Sequence, residues 1–188
     1  MAGGYESLKR IMVLGMARSG IAVAGMLLAK GHEVWIADKK NISEFHGALD
    51  DLLASGAHSM LGEKHPEERL DGFDVLIVSP GVPIDNQTVV AAKSREIPVI
   101  GEIEAAYRES RGELVAITGT NGKTTTVTLT GEIYKNAGRT TYVVGNIGTP
   151  YSGAVLKMKD EDVTVCEISS FMMETSDQFH PHIAAVLN

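Results

Sequence analysis

Apolar runs of strand length alternate with segments of helical spacing from one end of the chain to the other. The runs are Ile11 to Leu14, Val34 to Ala37, Val75 to Val78, Pro98 to Ile100, Leu114 to Ile117, Thr141 to Val144, Val163 to Ile168 and Ile183 to Leu187. Helical spacing covers Ile21 to Lys30, Glu44 to Ala54, Asn86 to Arg95, Glu102 to Ser110 and Thr124 to Asn136, with Gly31 and Gly138 where helix C-caps are expected. Such alternation predicts parallel sheets covered by helices, an α/β chain, and eight strands suit two sheets better than one. The charged, glycine-containing stretch Arg108 to Glu113 places a domain boundary there, giving domains over 1–110 and 111–188.

The segment Thr118 to Thr126 reads Thr-Gly-Thr-Asn-Gly-Lys-Thr-Thr-Thr and sits between the run Leu114 to Ile117 and a helical stretch. Gly119 and Gly122 let the backbone turn tightly and aim the N–H groups of Thr120, Asn121 and their neighbours at phosphate oxygens. Lys123 reaches the outer phosphates, the Thr124 hydroxyl is placed to ligate Mg2+, and Thr125 continues the turn. The expected ligand is ATP. The general phosphate-loop pattern has glycine five positions before Gly122, where this chain has Ile117.

Composition narrows the partners. Of the 188 residues, 44% are hydrophobic and 22% charged, which is ordinary for a globular protein. A formal charge of -7, from 24 acidic against 17 basic residues, argues against nonspecific binding to nucleic acid or anionic membrane and points to a small-molecule partner. Met1 to Arg10 lacks an apolar leader region and Ile21 to Ala29 is too short to span a bilayer, so the expected location is the cytoplasm. The single Cys166 lies inside an apolar run and reads as a buried, inert thiol. His32, His46, His58 and His65 read as surface residues, and His180-Pro181-His182 lacks a third convergent ligand.

Two further turns lie at strand ends. Gly15-Met16-Ala17-Arg18-Ser19-Gly20 precedes an apolar helix, and Asp38 closes the next strand, a Rossmann-like dinucleotide fingerprint in which Ala17 replaces the middle glycine. Ala17 weakens an NAD reading, and by itself the loop fits a tight strand-to-helix turn as well as it fits a nucleotide. Ser79-Pro80-Gly81-Val82-Pro83 follows Val75 to Val78, so two loops at carboxyl strand ends can form one cleft, although this loop standing alone reads as a proline-stiffened connection. Glu167, at the end of another run, reads either as a magnesium-directed carboxylate or as an acceptor for Ser169 or Ser170. Asn146 reads either as a ligand contact or as a left-handed turn residue.

Taken in order, Gly15 to Gly20, Ser79 to Pro83, Thr118 to Thr126, Gly145-Asn146-Ile147-Gly148 and Glu167-Ile-Ser-Ser-Phe171 resemble the MurD family of Mur ligases. Gly101-Glu102-Ile103-Glu104 and Ile183 to Asn188 extend the resemblance to essentially the whole chain. It implies a Rossmann-like domain that binds a UDP-sugar, followed by the first part of a P-loop ATPase-type domain. The implied activity is ATP-dependent addition of D-glutamate to UDP-N-acetylmuramoyl-L-alanine, through an acyl phosphate, in peptidoglycan synthesis. Carried over by position, Arg18, Ser19, Asp38, Lys39 and Gly81 would hold the uridine diphosphate, with Asn146 and Ser169 toward the muramoyl end. Lys123 and Glu167 would be catalytic, and Thr124 with Glu167 would ligate Mg2+.

Family members often have glutamine where this chain has Met172, which puts that substrate contact in question. The resemblance also places the D-glutamate site, an Asp-His pair and a carbamylated lysine after Asn188. The second domain, with about three strands expected, therefore reads as truncated, and the chain by itself is expected to be an inactive monomeric fragment. A sister Mur ligase adding another amino acid, or a non-catalytic nucleotide sensor, are the competing readings.

Overall fold

The computed structural model describes residues 9–188, so most of the N-terminal stretch from which the missing leader was read lies outside the described residues. Among the described residues nine strands form two sheets, both wholly parallel. The first has the order β3-β2-β1-β4-β5, built from β1 (Arg10–Leu14), β2 (Glu33–Asp38), β3 (His58–Leu61), β4 (Val75–Val78) and β5 (Val99–Gly101). The second has the order β7-β8-β6-β9, built from β6 (Glu113–Gly119), β7 (Thr141–Gly145), β8 (Val163–Glu167) and β9 (Ile183–Leu187).

Helices cover the sheets: α1 (Arg18–Ala29), α2 (Asp50–Ala54), α3 (Gln87–Ser94), α4 (Glu102–Glu109), α5 (Lys123–Asn136), α6 (Ser152–Val155) and α7 (Ser170–Met173). Burial on both faces explains why β4 is buried at every position and β1 at all but its first. Asn86 caps α3 by accepting from Thr88 N at 2.9 Å, and Gly31 and Gly138 take φ of 88° and 81° just after α1 and α5, as their spacing predicted.

Four sequence expectations need correction. β3 was missed, because His58 and Ser59 are exposed and only Met60 of that strand is buried, leaving no apolar run to find. The second sheet has four strands where about three were expected. The helix expected over Glu44 to Ala54 is broken: a short 3-10 turn, Ile42–Phe45, ends in left-handed His46 and Gly47, and α2 starts afterwards. His32 is not a surface residue; it is 7% exposed, and its Nδ1 accepts from Lys9 N at 3.2 Å.

The two sheets share one apolar core. Val13, Val23 and Ile77 around the first sheet belong to the same buried cluster as Leu114, Val144, Tyr151 and Cys166 around the second. Tyr151 donates to Ser110 Oγ at 2.8 Å, and Gly101 N donates to Thr175 O at 2.8 Å across the junction. Cys166 is fully buried, and burial pushes its thiol well up, so it stays protonated and inert. No helix among the described residues is long and apolar enough to cross a membrane.

Candidate functional site

In the first sheet, neighbours change sides at β1: the chain runs to β2 on one flank and to β4 on the other. The connections after β1 and β4 therefore diverge, opening a crevice at the carboxyl ends of the strands. Gly15 turns there with φ 92°, and Ser79 Oγ donates to Gly15 O at 2.6 Å, tying the two loops together. The approach of α1 is close: a Cβ on Gly20 would lie 1.9 Å from Gly15 O, which is why glycine stands at that position.

A cavity of about 260 Å³ fills this crevice, lined among others by Gly15, Ala17, Asp38, Lys39, Ser79 and Gly81. Three of the residues expected to hold a uridine diphosphate, Asp38, Lys39 and Gly81, thus come together. Asp38 also braces the walls, Oδ2 accepting from Met16 N at 2.7 Å and Oδ1 from Lys40 N at 3.0 Å. Arg18 and Ser19 lie in the first turn of α1, outside that lining. Arg18 instead reaches across to the second half of the chain and donates to the carbonyl of Gly148.

In the second sheet, the loop after β6 delivers α5. Gly119 and Gly122 adopt φ of 139° and 80°, and a Cβ on Gly119 would lie 2.0 Å from Leu187 O, so the glycines meet both a backbone and a space requirement. Lys123 opens α5 and folds over the loop, donating to Gly119 O at 2.6 Å and Thr120 O at 3.1 Å. The N–H groups of Thr120 and Asn121 donate to Leu187 O and Asn188 Oδ1, each at 3.3 Å. Thr124 and Thr125 are exposed on the first turn of α5.

Glu167 ends β8, the strand beside β6, and pairs in register with Ile117. It is only 2% exposed, and its carboxylate reaches the glycine loop: Thr124 Oγ1 donates to Oε2 at 2.8 Å and Asn146 Nδ2 to Oε1 at 3.0 Å. The side chains that donate to it are thus Thr124 and Asn146, not Ser169 or Ser170. Asn146 is not left-handed; Gly145 and Gly148, with φ of 106° and 64°, make that turn and free the amide to reach Glu167.

A buried carboxylate beside an exposed hydroxyl on a phosphate-type loop suits Mg2+, a hard cation that draws its remaining ligands from phosphates and water. Among the described residues no three His, Cys, Asp or Glu side chains converge into a metal cluster of their own.

Ser169, two residues after Glu167, caps α7. Its N–H points at Met172 Sδ, 3.5 Å away, so Met172, 4% exposed, turns into the core; Met173, in contrast, is exposed. Sequence reasoning missed a second cavity of about 590 Å³ between the first crevice and α7, lined in part by Ile84, Glu102, Phe171 and Thr175. Glu102 was legible only as part of Gly101 to Glu104, directly after β5.

The model of the Mur ligase MurD-like N-terminal domain matches residues 9–101, and that of the Mur ligase middle domain matches residues 117–188. A UDP-N-acetylmuramoylalanine–D-glutamate ligase of Alkaliphilus metalliredigens is 43% identical over 182 residues, covering 96% of this chain and 40% of that protein. Its counterpart from Pelotomaculum thermopropionicum is 46% identical over 180 residues, covering 96% and 39%. The chain thus spans about 40% of the length of these curated relatives.

Among solved structures, a UDP-N-acetylmuramate:L-alanyl-gamma-D-glutamyl-meso-diaminopimelate ligase from Neisseria meningitides aligns with TM-score 0.59 at 18% identity, over 95% of this chain and 60% of that one. The UDP-N-acetylmuramate-alanine ligase of Thermotoga maritima aligns with TM-score 0.52 at 20% identity, over 95% and 41%. These two likenesses speak for the fold. With two Mur ligase domains matched in order along one continuous α/β body, the chain belongs to the Mur ligase family, its first part being of the MurD-like kind.

Proposed function

We propose that this chain is the UDP-substrate-binding and ATP-binding part of a ligase that adds D-glutamate to UDP-N-acetylmuramoyl-L-alanine in peptidoglycan precursor synthesis. Residues 1–110 are the UDP-substrate domain, and residues 111–188 belong to the ATP domain. The observation that carries the reading is the convergence of Lys123, Thr124 and Glu167 at the carboxyl ends of β6 and β8. The MurD-like match and the D-glutamate ligases among the relatives favour D-glutamate as the incoming amino acid.

The chemistry explains these residue types. A carboxylate resists attack by an amine because oxide is a poor leaving group. In the first step an oxygen of the alanyl carboxylate attacks the γ-phosphorus of ATP, the bond to the β–γ bridging oxygen breaks, and ADP departs. The amine of D-glutamate then attacks the acyl carbon, phosphate leaves with the former carboxylate oxygen, and the amine's proton passes to solvent. Both partners of the first step are anions. Lys123 exchanges its loop carbonyls for phosphate oxygens and offsets their charge. Thr124 and Glu167 would hold Mg2+, which supplies further neutralisation between the phosphates. Gly119 to Thr125 cradle the triphosphate. Asp38, Lys39 and Gly81 hold the uridine diphosphate, Arg18 and Ser19 border it, and Asn146 and Ser169 face the muramoyl end.

Calorimetric titration tests the substrate assignment. Binding of UDP-N-acetylmuramoyl-L-alanine, with none of NAD, is the expected result; selective binding of NAD would end the ligase reading in favour of a nucleotide sensor.

A further inference from the structure

Glu102 and Glu104 leave the same short segment yet are used differently. Glu104 is fully buried, and the structure occupies both its oxygens: Asp177, Gln178 and Phe179 donate backbone N–H groups at 2.9–3.1 Å, and Arg108 Nε donates at 2.6 Å. Glu102 is 1% exposed and uses one oxygen only. Its Oε1 accepts from both Ser152 N and Ser152 Oγ at 2.6 Å, fastening α6 to the start of α4. Its Oε2 is buried and has no hydrogen-bond partner.

An unpartnered buried oxygen destabilises a fold, and such atoms are few in native proteins. The clasp to Ser152 does not call for it, since a glutamine carbonyl would accept the same two bonds. Glu102 stands in the wall of the 590 Å³ cavity, which shares Ser79, Gly81, Val82 and Pro83 with the smaller crevice, so the two cavities adjoin. Desolvation pushes the Glu102 carboxyl upward, outweighing the opposing Ser152 bonds. In the neutral acid Oε1 serves as the carbonyl-type double acceptor and Oε2 carries a hydroxyl to donate.

We propose that Glu102 is a recognition residue whose Oε2 hydrogen-bonds a carbonyl or carboxylate oxygen on the acylated sugar half of a nucleotide-linked sugar lying across the two cavities. This rests on the reading of the first crevice as a uridine diphosphate site. It adds a residue to the muramoyl end of that site.

The test compares UDP with UDP-N-acetylmuramoyl-L-alanine by calorimetry on the unchanged chain, on Glu102→Met and on Glu102→Gln. The unchanged chain binds the acylated sugar nucleotide more tightly than UDP. Glu102→Met weakens the acylated ligand about tenfold and leaves UDP within about twofold, whereas Glu102→Gln, still a donor and still an acceptor for Ser152, stays within about threefold on both. Equal loss of both ligands by Glu102→Met marks a mere clasp and overturns the proposal, as does no loss of either.

UDP binding without any gain from the acylated sugar overturns the proposal and spares the crevice; binding of neither ligand by the unchanged chain removes the crevice reading and the proposal together. Infrared difference spectra provide a measurement independent of the methionine variant. A neutral carboxylic acid band absent from Glu102→Gln shifts on adding the acylated ligand but not UDP, and a band that does not move contradicts the assignment.

Discussion

Thr124 Oγ1 donates to Glu167 Oε2 over 2.8 Å, although 43 positions separate the two residues in sequence. Strand order creates this contact: β8 lies beside β6, so the end of one strand faces the loop leaving the other. Hydroxyl and carboxylate are thereby assembled within the fold.

If Glu167 holds the metal as proposed, removing its carboxylate acts on the metal more than on the fold. Glu167→Gln retains an acceptor for Thr124 and is expected to reduce the strengthening of ATP binding by magnesium about tenfold. Titrations with ATP in the presence of magnesium or of a chelator measure this. An undiminished magnesium effect contradicts the role given to Glu167.

Glycines in the first crevice separate packing from binding. Gly20→Ala drives a Cβ to 1.9 Å from Gly15 O and is expected to destabilise the chain by about 2 kcal/mol in a denaturant series. A Cβ at Gly81 would meet nothing within 4 Å, so Gly81→Ala should melt like the unchanged chain yet bind UDP more weakly. Unaltered UDP affinity would remove Gly81 from the site.

Glu104 ties α4, which follows the first sheet, to the segment 177–179 that leads into β9 of the second. Glu104→Ala leaves Arg108 Nε and three backbone N–H groups without their acceptor. The expected loss is about 3 kcal/mol, or roughly 6–12 °C in Tm. A change below about 1 kcal/mol would show that the junction does not depend on this carboxylate.

Burial raises the Glu102 carboxyl above its reference value of 4.5, so the unfolded chain ionises first as pH rises. The contribution of Glu102 to stability is full below about pH 4.5 and is lost as pH climbs through the folded value. Glu102→Gln, which has no such penalty, should melt above the unchanged chain at pH 7, with the difference closing toward pH 4. A difference independent of pH would contradict the burial argument.

Much of the architecture was legible because both sheets are parallel and covered. Their strands read as apolar runs, and each phosphate-type loop carries its own glycines. Edge strand β3 was not legible, since stacking of Trp35 on His58 at 4.6 Å replaces an apolar run there. At the site, residue types gave Lys123, Thr124 and Glu167 from local signals. The contact of Asn146 with Glu167 arises between neighbouring strand ends of the second sheet, and the span of Arg18 to Gly148 and the half-used carboxyl of Glu102 arise only where the two sheets meet, 21 to 130 positions apart in sequence.

The most direct test of the central claim is calorimetric titration of the chain with ATP and magnesium, unchanged and as Lys123→Ala. The account predicts binding by the unchanged chain and a loss of at least about tenfold in the variant, with Tm in the absence of nucleotide within about 2 °C. Equal affinity in both would contradict it.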